Sequence, residues 1–595
     1  MSHYKANLRD AEFNLFEVHR IQDYMGGHWR DLDEDTARDT LIEMERLARE
    51  DFAASYIDQD RIPLKLVDGE VHIPDSVKAS VAAFREGGWN KFSLPEELGG
   101  SPVPNTLFWA GQEMLLAANT TAQFYSGGSL FAYVLFDEGT EAQKDFARMW
   151  VDKGWGGSMM LTEPDAGSDV GAGVTKAIDV GDGTWHLEGV KRFISSGEHD
   201  VTENIIHLVL ARPEGAGPGT KGLSMFVVPK YLVNEDGSLG GRNGVYATNI
   251  EKKMGLKGST TCEMTLGVDE PCVGYLVGDK HDGIRQMFRV IEHARMMVGT
   301  KAMGTLSSGY LNALEYAKQR VQGADLTEAS DKAAPRVPII AHPDVRRSLM
   351  NQKAYAEGLR ALVCYTAWVQ DQVELHPEDD TWKRRSFFLL PLVKGYASER
   401  SYQLLGDTLT IFGGSGYTQD YPIEQYIRDA KIDTVYEGTT GIQALDLFFR
   451  QIARDQGTAF ASISSEIVEF VKGGEGDDVL APQRELLGEM MDDLQAQLGT
   501  MVEHLMASVD EKEEVYKVGL HATPLLESMG EIVVSWQLLR HAEIALPKID
   551  EDPFYRGKVE SALWFVDHVA PEVKARAVLA VAEDGHLMDI PVTAF

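Results

Sequence analysis

Gly156-Gly157-Ser158-Met159-Met160-Leu161-Thr162 is the stretch where a helical sequence turns into a β sequence. Before it, Asp35 to Arg49 places Ala37, Leu41, Met44, Leu47 and Ala48 at helical spacing. Ile62 to Ile73 looks extended and turn-rich, the helical signal resumes from Ser76, and residues 105–150 read as two more helices. After Gly156 the runs are short and extended: Gly157 to Thr162, Trp185 to Ile194, Ile205 to Ala211, Leu223 to Val228 and Thr261 to Leu266. Gly, Pro, Asp and Asn separate them, as in Gly181-Asp182-Gly183. Helix returns near Gly283 and continues to about residue 455, and Val321 to Ile340 interrupts it as an inserted loop. Beyond the breaker Gly473-Gly474-Glu475-Gly476-Asp477-Asp478, a seam of Leu487, Met491, Leu494, Leu498, Met501 and Leu505 predicts a packed helix. One β block between helical blocks implies separate layers rather than βαβ winding. The predicted class is α+β and mostly α. It comprises an extension over 1–75, a helical domain over 76–155, a β-barrel-like domain over 156–280, a helical bundle over 281–457 and an additional helical domain over 458–595.

A chain of 595 residues is too long for a single core. Its 44% hydrophobic and 25% charged residues are those of an ordinary globular protein. A formal net charge of −35 argues against nucleic acid, whose phosphates need a basic footprint. No run of about 18 apolar residues exists to span a membrane. The opening Met-Ser-His-Tyr-Lys-Ala-Asn-Leu-Arg-Asp lacks an apolar stretch suited to export, so a cytoplasmic protein is expected. Cys262, Cys272 and Cys364 form no CxxC and have no His cluster nearby. They read as buried reduced thiols, and no metal is expected.

Four segments carry chemistry. In Asp433-Thr434-Val435-Tyr436-Glu437-Gly438-Thr439-Thr440-Gly441, a carboxylate sits between an aromatic residue and a glycine where helix breaks. Glu437 is thus presented on a turn that a ligand can approach closely. The others are Met160-Leu161-Thr162-Glu163-Pro164-Asp165-Ala166-Gly167-Ser168-Asp169, Lys191-Arg192-Phe193-Ile194-Ser195-Ser196-Gly197 and Phe412-Gly413-Gly414-Ser415-Gly416-Tyr417. A Gly-rich turn lets backbone approach a pyrophosphate without a Cβ in the way.

In this order and spacing the segments resemble the acyl-CoA dehydrogenase flavoprotein family, over about residues 80 to 450. The tail makes the chain similar to the family's large bacterial branch, which includes broad-range fatty acyl-CoA dehydrogenases and enzymes acting on 3-methylmercaptopropionyl-CoA. The resemblance implies FAD as cofactor and conversion of acyl-CoA to trans-2-enoyl-CoA in fatty acid β-oxidation. Glu437 would take the α-proton while a hydride passes from Cβ to flavin N5. It implies FAD contacts from Leu161, Thr162, Ser168, Phe193, Ser195, Arg320, Thr410, Gly413, Gly414 and Thr439. It implies thioester contacts from Ser168, Glu292, Arg295, Tyr436 and Gly438. Some relatives carry their base on an earlier helix, but the matching position here is Ala294. The chain departs from the pattern at Val321-Gln322-Gly323, where K-T-F is usual, and at Gly441, where many members have Gln. An electron-transfer flavoprotein as acceptor and a homodimer are the implied partners. A 3-methylmercaptopropionyl-CoA dehydrogenase, an acyl-CoA oxidase and a non-catalytic assembly protein stay open as alternatives.

Overall fold

Glycine-punctuated runs rich in β-branched, aromatic and sulfur-bearing side chains fill residues 156 to 276; Tyr231–Val233 and Leu239–Arg242 pair as a small ribbon of their own, and the other runs form one sheet of eight strands. These are β1 (Gly156–Met160), β2 (Lys176–Asp179), β3 (Trp185–Ser195), β4 (Ile205–Pro213), β5 (Ser224–Pro229), β6 (Val245–Ile250), β7 (Thr261–Leu266) and β8 (Cys272–Leu276). They pair in the order β6-β7-β3-β8-β5-β4-β1. β2 pairs with both β3 and β4, so β3, β8, β5, β4 and β2 close into a ring. Only β4 with β1 and β4 with β2 run parallel.

β4 is buried along nearly its whole length, which is why Ile205 to Ala211 reads as an unbroken apolar run. Ile206, Leu208 and Leu210 pack with Leu135 and Trp150 of the preceding helices and with Trp155, just before β1. Val209 and Ala211, of the opposite parity, join Trp185, Leu187, Phe226 and Met264 in a second core. The period-2 alternation of a strand places these two sets on opposite faces.

The computed structural model describes residues 2–29, 32–474 and 477–595. Glu475 and Gly476 of the expected breaker therefore lie outside the described residues. The chain forms two units. The β-domain belongs to the first (Met1–Tyr4, Asp39–Pro104, Met114–Ala294), and the second comprises Lys5–Arg38, Asn105–Glu113 and Arg295–Phe595.

In the second unit, helices Pro343–Leu375, Asp380–Pro391, Ala397–Phe412 and Ile423–Lys431 precede three long, mutually packed helices, Asp477–Ala507, Glu514–Ala545 and Pro553–Val581. Leu487, Met491, Leu494, Leu498 and Met501 are buried as the seam predicts, and Leu505 is partly buried. A buried ion network ties this unit's remote segments together. Arg360 Nη1 lies 2.5 Å from Asp10 Oδ2, Arg360 Nε lies 2.9 Å from Glu113 Oε2, and Lys558 Nζ reaches Asp10 Oδ1 at 2.7 Å.

Three expectations need correction. Residues 105–150 hold three helices, Asn105–Ser126, Gly128–Glu138 and Glu141–Lys153, the last begun by a capping box between Thr140 and Gln143. Val321 to Ile340 is not a plain loop, because Val321–Ala324 pairs antiparallel with Arg336–Pro338. Strands β2, β6 and β8 went unread; they are short and mix polar residues or glycine among the apolar ones, so alternation was too weak to register. The three cysteines are buried and free.

Candidate active site

Charge inside the β-domain has a structural job. Lys191 donates from Nζ to Glu163 Oε1 at 2.8 Å and to the Leu161 carbonyl at 3.1 Å. Glu163 also accepts from the amides of Val174 (2.6 Å) and Thr175 (3.1 Å). Burial alone would push this carboxyl up, but the ammonium and the amides prevail and hold it below its ordinary value. Arg192 N–H donates to the Thr162 carbonyl at 2.9 Å. The end of β1 is thereby stitched to β3, which places Leu161 and Thr162 beside the Lys191–Ser195 segment.

β3 then breaks its own alternation. Cys262 pairs with Ile194 and Met264 with Lys191, so Arg192 and Phe193 together face the single residue Glu263. That is a β-bulge, and it turns Phe193 outward. Phe193 has a left-handed backbone (φ 59°) and is 55% exposed. The conformation costs a non-glycine residue on the order of 1 kcal/mol. Ser195, opposite Thr261, is also exposed, as is Ser168 in the loop after β1. An apolar ring, a hydroxyl and strand-end backbone are thus offered on one edge. Glu292 is partly buried on the helix Gly283–Gln319, and its charge acts on nearby Arg289.

In the second unit the Glu437 turn is built differently. Glu437 and Gly438 both have left-handed backbones (φ 57° and 89°). Glycine at 438 is required twice, since a Cβ there would also lie 2.7 Å from Gln443 Nε2. Gln443 Nε2 donates to the Glu437 carbonyl at 2.9 Å, and the Lys394 ammonium donates to the Gly438 carbonyl. Tyr436 O–H donates to Asp433 Oδ1 at 2.9 Å, and Lys301 Nζ lies 2.6 Å from the same oxygen. Thr439 caps the following helix Thr440–Leu445 by accepting from the Ile442 amide.

The Glu437 side chain is partly buried and pushed up to about 7, first by burial, with Lys394 and Arg295 pulling the other way. A carboxyl balanced there can take a proton near neutral pH. Arg295 donates to Asp446 Oδ2 at 2.7 Å, so its guanidinium is engaged in a buried ion pair as well as acting on Glu437.

The remaining residues of the sequence reading lie elsewhere in this unit. Arg320 is exposed just past the end of the helix Gly283–Gln319, and Thr410 donates to the Gly406 carbonyl at 3.1 Å from an exposed helix face. Gly413 (φ 60°) and Gly414 are exposed, and a Cβ on either would meet no protein atom, so backbone is open there to a ligand. Sequence reasoning missed Lys191, Lys394, Lys301, Asp433 and Gln443. The Lys191–Phe193 adjacency was a usable signal for the first. Nothing local marks Lys394, which lies 43 residues before Glu437 in the chain.

Comparison with known proteins agrees with this architecture. Family models for the acyl-CoA dehydrogenase middle domain and C-terminal domain match residues 158–267 and 281–451, and an acetyl-CoA dehydrogenase C-terminal-like model matches 463–591. The chain is 51% identical over its full length, and the full length of the relative, to the broad-specificity linear acyl-CoA dehydrogenase FadE5 of Mycobacterium tuberculosis. It is 34% identical to the 3-methylmercaptopropionyl-CoA dehydrogenase of Ruegeria pomeroyi over 96% of this chain and 97% of that one. A crystal structure of an acyl-CoA dehydrogenase complexed with FAD from Bacillus anthracis superposes with a TM-score of 0.72 at 19% identity, covering 95% of this chain and 91% of that one, which shows the shared fold. With its β ring, its exposed bulge and its Glu-Gly turn, and with half its residues identical to one such enzyme from end to end, this chain belongs to the acyl-CoA dehydrogenase family.

Proposed function

We propose that the protein is an FAD-dependent dehydrogenase that converts acyl-CoA thioesters to trans-2-enoyl-CoA, with Glu437 as the base. The observation that carries this reading is the Glu437 turn. A carboxylate is held in a strained left-handed conformation, with no helix or strand bond tying it down, and its affinity for protons is raised to about 7.

The β-domain edge fits a flavin. A bulged, exposed aromatic ring beside an exposed hydroxyl and strand-end backbone matches the needs of a flat heteroaromatic ring with polar edges. Leu161, Thr162, Ser168, Phe193 and Ser195 would hold that portion. Arg320, Gly413 and Gly414 of a second copy of the chain would complete the adenine half, the open glycines approaching its phosphates, and Thr410 and Thr439 are proposed as further FAD contacts. FAD, when bound, supplies the hydride acceptor for the reaction.

The protein groups then do the rest. Glu437 would accept the α-proton, and its own backbone amide would help polarise the thioester oxygen. Tyr436 gives the turn an aromatic wall and spends its hydroxyl on Asp433. Ser168 and Glu292 remain candidates for contacts to the thioester chain. Arg295 contributes charge beside Glu437 while bonded to Asp446.

The full-length relative at 51% identity acts on linear acyl-CoA with broad specificity, which favours straight-chain thioesters of several lengths over 3-methylmercaptopropionyl-CoA as substrates. The same reading makes the protein a cytoplasmic homodimer that passes electrons to an electron-transfer flavoprotein. Anaerobic titration with butyryl-, octanoyl-, palmitoyl- and 3-methylmercaptopropionyl-CoA, followed by flavin absorbance, tests it. Bleaching by the straight-chain thioesters is expected. Bleaching by the sulfur-containing thioester alone would overturn the substrate reading, and an unbleached flavin the reaction.

A further inference from the structure

The Glu437 turn is not held by its own segment alone. Helix Asp380–Pro391 ends at a proline that has no N–H to give to the carbonyl four residues back. Directly after it the chain widens into a π-helical turn, Leu392–Tyr396, before continuing as Ala397–Phe412. Wide turns of this kind re-aim side chains and concentrate at functional sites. Here Lys394 is fully buried, and its ammonium donates to the carbonyl of Gly438, the residue after Glu437.

The next two residues of the π turn meet the C-terminal helix Glu514–Ala545. Gly395 leaves room for Leu526 and Gln443, since a Cβ there would lie 2.8 Å from Leu526 Cδ2 and 3.1 Å from Gln443 Cβ. Tyr396 is buried against Gly530, where a Cβ would lie 2.5 Å from its ring. A glycine in the interior of a 32-residue helix costs about 1 kcal/mol relative to alanine, so its presence calls for a packing reason, and the Tyr396 ring supplies one. Gln443 completes the frame by bonding the Glu437 carbonyl.

We propose that Lys394 is a positioning residue for the reaction: its buried ammonium holds the Glu437–Gly438 turn and keeps the Glu437 carboxylate charged, and the helix Glu514–Ala545 fixes that ammonium by clamping the π turn at Gly395 and Tyr396. This rests on Glu437 being the base. It also gives the C-terminal domain a task, as the outer support of a catalytic turn nearly 80 residues earlier in the chain.

The charges around Glu437 are consistent with the role. Lys394 faces it from the π turn, and Arg295 and Lys301 come from the helix Gly283–Gln319. Asp433 and Tyr436 come from its own segment, Asp446 from beyond the helix Thr440–Leu445, and Glu399 from the helix Ala397–Phe412. Lys301 pairs with Asp433, Arg295 with Asp446, and Glu399 accepts from Thr440. Among the described residues, Lys394 is the cation acting on Glu437 that has no carboxylate bonded to it. Burial draws Lys394 down to about 8, Asp433 and Glu437 being the chief groups that oppose this.

The test uses the FAD-loaded full chain and the pH dependence of flavin reduction by octanoyl-CoA under anaerobic conditions. Removing the charge with Lys394→Met should move the midpoint of the acid limb up by about one to three pH units, the usual effect of losing an adjacent opposite charge. Lys394→Arg, which keeps the charge, should hold the midpoint near that of the wild type. Gly530→Ala should displace Tyr396 and raise the midpoint in the same direction. If Lys394→Met does not fold, Lys394→Gln removes the charge without opening an apolar cavity, and its midpoint must rise too. Glu437→Gln runs beside them. If it still bleaches the flavin, the base assignment fails. If it is inert and the Lys394 variants keep the wild-type midpoint, the positioning role fails alone. A Gly530→Ala variant that lowers the melting temperature but leaves rate and midpoint unchanged overturns the clamp.

Discussion

At the edge of the β-domain the residues offered to a ligand carry no charge, whereas on the Glu437 turn nearly every neighbour does. The first surface presents Phe193, Ser195 and strand-end backbone, and a buried ion pair, Lys191 with Glu163, stitches two strands behind them. The second presents a carboxylate framed by Lys394, Arg295, Asp433 and Asp446. The contrast separates two uses of a buried charge. In the β-domain the pair is fully satisfied, Glu163 is held below its ordinary value, and the pair supports shape. Around Glu437 burial outweighs the cations, the carboxyl rises to about 7, and the imbalance itself is useful.

If that contrast is right, the Glu437 turn is where rate is lost and the sheet edge is where cofactor and stability are lost. The largest effect belongs to Glu437→Gln, which should slow anaerobic flavin bleaching by about 10²- to 10⁴-fold while leaving flavin content intact. A loss of flavin instead would place Glu437 in cofactor binding and collapse the distinction. Lys191→Met should unpair a buried carboxylate and destabilise the fold by about 3–5 kcal/mol, read as a lowered melting temperature with released FAD. If it reduced turnover without a change in melting temperature, the β-domain pair would not be structural.

A third check concerns pH. Only ionised Glu437 accepts a proton, so kcat/KM should fall about tenfold per unit of pH below about 7 and level off above it. A profile flat from pH 5 to 8 would remove the raised carboxyl from the mechanism. The smallest effect is expected from Ser195→Ala, which deletes one exposed hydroxyl and should weaken FAD retention by about 0.5–1.5 kcal/mol, roughly two- to tenfold in affinity, with kcat preserved in the loaded enzyme. Equilibrium dialysis against free FAD would measure it.

Much of this was readable in the chain. Ile205 to Ala211 is uniformly apolar because β4 is buried along its length, and five of the eight strands announce themselves in that way or by clear turns. The Glu437-Gly438 pair was conspicuous because a helix breaks there, and the structure gives the reason in two successive left-handed residues. The hairpin within 321–340 was hidden, since its strands are only four and three residues long and mostly exposed, leaving no apolar alternation to detect. The bulge at Phe193 was hidden for another reason. A bulge is a property of pairing register, and its partner β7 begins some 66 residues later.

Sequence alone settles which residues are available for chemistry and which local conformations they favour, because propensity, periodicity and glycine's freedom act over a few residues. It therefore settles the α, β, α order and the Glu-Gly turn, whereas the exposure of Phe193 waits on the pairing of β3 with β7. Packing settles which of those residues are charged and how firmly they are held. Lys394, Gln443 and Gly530 lie on three separate segments, and their effect on Glu437 passes through a buried ammonium, an amide and a glycine-ring contact. Electrostatic strength depends on burial and distance in space. Neither quantity exists until the chain has folded.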